Sequence, residues 1–234
     1  MDILSVAQSA LQRMGLNAPT SLVGSPDQTA IQSLALISEV CGKIIAHRQW
    51  QAITGNISIT CVAGNDQGDV STLIPDLNYI INSTLFNQTA NQYLYGSVSP
   101  QATQYAASFA NGIGITPIYA IEGGKLLIYP AGVAGQILTG KYIISAIGTD
   151  SAGAFITAFT SDTDMVIIDD ELAILGLMVR FKQAKGLDFS VEKNNYDARI
   201  RERGIRDAPP TMLNMGRIAP DILYTCFPEN GFGL

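Results

Sequence analysis

From Ile3 the apolar positions recur in steps of three and four: Ile3, Val6, Ala7, Ala10, Leu11 and Met14 share one face. That spacing predicts a helix from Asp2 to Met14, with Gly15 as its stop. Ser25-Pro26-Asp27-Gln28 reads as a second helix start. Ser25 serves as the cap, Pro26 takes the first helical position, and Gln28 completes a capping box. Ile31, Leu34, Ile37, Cys41, Ile44 and Ile45 then line a face that carries the helix to about Trp50.

At Ile53 the period changes to two. Ile57, Ile59 and Cys61 alternate with Ser58 and Thr60, as in a half-buried strand, and "AGNDQGD" follows as a loop. Tyr79 to Leu85, Gln92 to Leu94, Ile115 to Ile121, Lys125 to Tyr129 and Gln136 to Ser145 read as further strands, with Glu122-Gly123-Gly124 as a tight hairpin turn. Ser99-Pro100 starts a short helix that reaches about Phe109.

Helix returns in "DDELAILGLMVRFKQAKG", residues 169 to 186. Asp169, Asp170 and Glu171 suit the positive end of a helix dipole, Lys182 and Lys185 the negative end, and Gly186 the stop. Between Leu172 and Val179 no residue is polar, so the helix is apolar on every side. An amphipathic, strongly charged helix follows from about Ser190 to Arg203. Beyond Arg206 the chain is broken by prolines yet keeps many apolar residues, which predicts an extended arm that orders against something else.

These elements give an α+β fold: a helical bundle formed by the N-terminal and C-terminal helices, with an inserted antiparallel β domain and an extended C-terminal arm. The helical halves are residues 1–52 and 161–206, the β domain 53–160 with its short helix near 99–109, and the arm 207–234.

Composition sharpens the picture. Of 234 residues, 47% are hydrophobic and only 15% charged, where a soluble domain has about a quarter charged. Part of that apolar surface is expected to meet other subunits. No uninterrupted apolar run reaches the roughly 18 to 20 residues of a membrane span, and the start carries Asp2 where a signal peptide is basic, so no membrane insertion and a cytoplasmic origin are expected. Residues 180–206 hold eight of the 14 basic residues against four acids, a local +4 within a chain of net charge −6. The acidic remainder argues against nucleic acid as a tightly held ligand.

Candidate chemistry is sparse. Gly135, Gly140 and Lys141 have the spacing of a phosphate loop, but Tyr142 stands where Ser or Thr would ligand magnesium, and the surrounding alternation is that of a strand. His47 is the only histidine, and its place near a helix end suggests a structural or surface role. Asp162, Asp164, Asp169, Asp170 and Glu171 lack calcium-loop spacing. Cys41, Cys61 and Cys226 are odd in number and widely spaced, as buried free thiols. The basic run from Arg199 to Arg206 is interleaved with Glu202, as in a solvated face or an interface salt-bridge set. No catalytic residue, cofactor or metal is expected, and the chain does not read as an enzyme.

The order of parts carries a resemblance. The "SPDQ"-capped helix ending in "HRQW", the segment "YIINSTLFNQTANQYLYGSVSPQ", the pair "IYAIEGGKLLIYPA" and "DDELAILGLMVRFKQAKGLDFS" follow one another. Together they resemble the head-to-tail adaptors (connectors, tail tubular protein A-like) of tailed, short-tailed bacteriophages. The resemblance covers about residues 1 to 205 and is strongest over 161 to 189, with "SDTD", "DDEL", Arg180 and "KQAKGLDF". "LFNQTANQYL" departs modestly from the family pattern, and the segment beyond Arg206 matches no part of it.

The resemblance implies a structural virion protein at the head–tail junction, assembled in the host cytoplasm as a dodecameric ring. Its helical part would dock below the portal protein, its β part would face tail nozzle or tail fibre proteins, and DNA would pass through the lumen. In such a ring Leu172, Leu175, Leu177, Met178 and Val179 are expected to face both their own core and an adjacent subunit, with Gly176 admitting a close backbone. Arg180, Arg199 and Arg203 are the basic interface candidates, and Met212, Leu213, Met215, Ile218, Leu223, Tyr224 and Phe227 the portal-docking residues of the arm. The alternative is a carbohydrate- or receptor-binding virion module in the β domain. It is disfavoured because Trp50, the only tryptophan, sits at a helix end.

Overall fold

Local capping sets where the chain turns helical. The structure is a computed structural model that describes residues 1–108 and 116–207. Helix α1 (Ile3–Arg13) begins where the Asp2 carboxylate accepts the Ser5 N–H at 2.8 Å. It ends at Gly15, φ +72°, where the Leu16 N–H returns to the Leu11 carbonyl at 2.9 Å. The expected start of α2 (Gln28–Ala46) is corrected. Asp27, not Ser25, is the cap, accepting the Thr29 N–H at 3.2 Å, while Ser25 Oγ takes the Asp27 N–H at 3.3 Å. Both side chains cap well, and Asp27 adjoins the first helical residue. The buried stripe moves accordingly onto Ala30, Ser33, Ile37, Val40, Cys41, Ile44 and Ile45, leaving Ile31 49% exposed. The helix also stops short of Trp50, which is buried beyond it with its indole N–H donated to the Ile44 carbonyl at 2.7 Å.

A single 3-10 turn (Gln51–Ile53) leads into β1 (Thr54–Thr60), β2 (Gly64–Asp69), the one-turn helix α3 (Val70–Leu73), β3 (Leu77–Ile80), β4 (Phe86–Asn87) and β5 (Gln92–Tyr93). Then come α4 (Pro100–Ala107), β6 (Ile118–Glu122), β7 (Lys125–Gly132), β8 (Ile137–Ile144), β9 (Gly148–Thr149) and β10 (Phe155–Ile156). The chain closes its described part with α5 (Asp170–Ala184) and α6 (Ser190–Asp207). The fold is thus mixed α+β, with six α-helices and antiparallel sheets among the described residues.

β8 is the organising strand: β1 pairs along one edge, and β3 and β4 along the other, with β5 beyond β4. A second sheet runs β2-β7-β6, and β9 and β10 form a small pair. The β6–β7 hairpin turns as expected: Glu122 faces Lys125, and Gly123 (φ +57°) and Gly124 (φ +80°) supply the two positive φ values of a type I′ turn. Two expectations change. The loop "AGNDQGD" contains β2, whose backbone pairs with β7 through two register irregularities, and the expected strand from Tyr79 to Leu85 is broken by a turn with Ser83 at φ +61°. Gln67 explains β2: it is buried, accepts the Val62 N–H at 2.9 Å and donates to the Gly64 carbonyl at 2.8 Å. One side chain does there what an apolar alternation does elsewhere. The expected Ser99 cap of α4 is present; its continuation to Phe109 and a strand start at Ile115 lie outside the described residues.

Three apolar clusters hold these parts. One lies in the sheets around Ile57, Leu85, Leu126 and Leu138. A second joins α1, α2 and α5 through Val6, Ile37 and Leu177, and also takes Phe159 with Ile147 and Ile156 against it. The third, with Ile44, Trp50, Ile143, Leu172 and Ile200, touches helices and β8 together. By length and mean hydropathy (1.3) α2 alone among the described helices meets the dimensions of a membrane span. Its polar side chains and its packing against α5 are equally those of a core helix.

Candidate functional site

α5 was singled out by its sequence, and its surroundings account for its composition. Leu172 and Leu177 are fully buried, and Ala173, Ile174 and Met178 nearly so. They contact α1, α2, α6 and Ile143 of β8. A β-carbon built on Gly176 would lie 2.5 Å from Val40 Cγ1 and 3.1 Å from the Tyr196 ring. The close approach at Gly176 is therefore made by side chains of α2 and α6 in the same chain. Leu172, Gly176, Leu177 and Met178 are buried within this chain, whereas Leu175 and Val179 are half-buried and keep an outward side.

The basic candidates are also engaged within the chain. Asp169, whose side chain is 8% exposed, caps α5 by accepting the Leu172 N–H at 2.9 Å. The same carboxylate lies 3.0 Å from the guanidinium groups of both Arg199 and Arg203, and Arg203 donates on to the Ile168 carbonyl at 2.9 Å. Arg199 is held protonated beyond its ordinary range by its hydrogen bond and charge pairing with Asp169. Arg180 reaches Gln183 at 2.8 Å and Glu39 at 3.7 Å. Between α2, α5 and α6 lies a groove of about 310 Å³ floored by Gly176, Val179 and Tyr196 and edged by Lys43, Arg180 and Lys193. The arm candidates Met212, Leu213, Met215, Ile218, Leu223, Tyr224 and Phe227 lie outside the described residues, as does Cys226.

The acids do not converge. Asp162 accepts the N–H groups of Leu22 and Val23 at 3.0 and 2.8 Å, and Asp164 those of Thr160 and Ser161 at 2.7 and 2.9 Å. Asp170 meets the N-terminal ammonium at 3.1 Å, and Glu171 pairs with both terminal nitrogens of Arg13. That pairing lowers the Glu171 carboxyl below its ordinary range and raises Arg13. Among the described residues no group of three His, Cys, Asp or Glu side chains is placed to hold a metal ion. Gly140 and Lys141 are strand residues of β8, and Gly135 sits in the turn before it, so no helix follows to meet a phosphate. His47 is exposed just past α2. Burial pushes the Cys41 thiol up to about 12 and raises that of Cys61, which makes both poor nucleophiles.

Two surfaces escaped the sequence reading. On α6, Val191 (64% exposed), Ala198 and Ile205 (77% exposed) recur every seven residues on the face turned away from α5. The spacing was legible, but the charged residues of the helix concealed it. The second is a long run without charge: no residue between Asp76 and Glu122 is acidic, basic or histidine. Compared with models of known protein families and with curated proteins, the chain matches none.

Proposed function

We propose that the protein is a head-to-tail adaptor subunit of a short-tailed bacteriophage, without catalysis. In this reading the N-terminal and C-terminal helices form one bundle, the antiparallel β region is an insertion, and residues 207–234 are an extended docking arm. Copies close into a dodecameric ring at the head–tail junction of the virion, between the portal protein and the tail nozzle or fibres, around a lumen that passes DNA. The observation that supports it best is the sharing of one core around α5 by helices from both chain ends, in the segment order of the adaptors. Interfaces in a closed ring are heterologous. Leu175 and Val179, with the outer face of α6, are apolar positions on the helical part that keep an outward side for a neighbour.

Electron microscopy of the full chain mixed with portal rings from the same source tests this. The expected result is a collar of twelve copies beneath the portal. Two folded proteins that do not associate would overturn the reading.

A further inference from the structure

The β region contains a small pocket whose chemistry differs from everything around α5. It has a volume of about 190 Å³ and lies where β4, β5, β7 and the turn before β8 meet. Three carboxamides gather at it. Asn87 faces Gln92 in the β4–β5 register and donates from Nδ2 to Gln136 Oε1 at 3.0 Å. Asn87 Oδ1 accepts the Ala90 N–H at 2.9 Å, and Gln136 Oε1 also accepts the Val133 N–H at 3.3 Å. These bonds fix the two amides, and they leave the Gln136 nitrogen and the whole Gln92 carboxamide without a protein partner among the described residues. Tyr129 and Pro130 supply an apolar wall, and among the described residues no charged side chain lines the pocket.

Gln136 is fixed through its oxygen and offers an NH₂ donor, and the nearby Gln92 carboxamide offers a donor and an acceptor, a set that complements neighbouring hydroxyl groups. The absence of charge removes the means of holding a phosphate or carboxylate, and with it nucleic acid. An amphipathic ring such as Tyr129 adds an apolar face beside the polar groups. Asn, Ser, Gln and Tyr make up 18 of the 45 residues of the uncharged run from 77 to 121, a composition compatible with adaptable neutral recognition.

We propose that this pocket binds one ring of a neutral carbohydrate, with Gln92 and Gln136 hydrogen-bonding adjacent hydroxyls and Tyr129 covering the apolar face of the sugar. The proposal stands independently of the ring assembly.

Side-chain amide resonances of the full chain provide the test. The probes are methyl α-glucopyranoside, methyl α-mannopyranoside, methyl β-galactopyranoside and N-acetylglucosamine, with glucose 6-phosphate and N-acetylneuraminic acid as charged controls. The expected result is saturable shifts of the Asn87, Gln92 and Gln136 amide signals with at least one neutral sugar and none with the charged ones. Gln92→Ala, at an exposed position, should keep the thermal midpoint and weaken that sugar about tenfold. Unmoved amide signals with all four neutral sugars, equal shifts from the charged controls, or unchanged affinity in Gln92→Ala would each overturn the proposal.

Discussion

Asp169 shows how much one side chain can tie together. It ends the loop before α5, caps that helix and fixes two arginines one turn apart on α6, so three elements depend on one carboxylate. Replacing it by alanine removes the cap and one partner of each arginine, Arg199 keeping Glu202 and Arg203 the Ile168 carbonyl; urea denaturation of Asp169→Ala should show a loss of about 1–3 kcal/mol. Gly176 makes the opposite point. Alanine favours a helix by about 1 kcal/mol, yet the new methyl would overlap Val40, so overpacking wins and Gly176→Ala should destabilise by about 1–2 kcal/mol. Adding Val40→Ala should recover part of that loss, visible as a favourable coupling in a double-mutant cycle. Acid sensitivity is set by carboxylates such as Glu171 and Asp2, lowered by hydrogen bonds from Arg13 and Ser5 respectively. A lowered native pKa contributes stability that is present above the unfolded value and is lost as pH falls through the native one. Unfolding midpoints should therefore hold at neutral pH and fall once pH drops below the ordinary carboxylate range. Glu171→Gln should flatten the curve slightly, by at most about 1 kcal/mol for so exposed a pair.

Among the elements, most of those specified by neighbours in sequence were legible, the α2 cap read at Ser25 and found at Asp27 being an exception, whereas strand pairing with distant partners was harder to see. Asp2 and Asp169 announce helix starts, Gly15 and Gly186 helix stops, and Gly123-Gly124 a hairpin, because each acts within a few residues of itself. β2 could not be seen, since its strand character comes from pairing with β7 and from Gln67, and neither leaves an apolar alternation. Gln67→Ala should accordingly cost about 1–3 kcal/mol by thermal or urea unfolding, through the buried backbone groups it leaves unpaired. The same division runs through the site. The apolar character of α5 was plain, but whether its sides meet α1, α2, α6 or a neighbour is a matter of long-range packing. The Arg199 and Arg203 side chains likewise looked available until Asp169, 30 residues from Arg199 along the chain, was placed beside them.

For the whole molecule, the apolar clusters of the described residues adjoin one another, and the Asp207 carboxylate accepts the Gln51 N–H at 3.2 Å. On the adaptor proposal, a chain ending at residue 207 should keep its thermal midpoint while docking less well to portal rings, as measured by co-sedimentation; undiminished docking would take the arm out of that proposal. The distribution of charge within the molecule has a further consequence for how such a joint responds to its solution. Residues 77–121 carry no acidic, basic or histidine side chain, whereas α6 is dense with acids and bases. Raising ionic strength shortens the Debye length from about 8 Å at physiological concentration to about 3 Å at 1 M. On the adaptor proposal, higher salt should therefore weaken contacts made through the α6 charges more than contacts made through residues 77–121, so that the two kinds of contact would part at different ionic strengths.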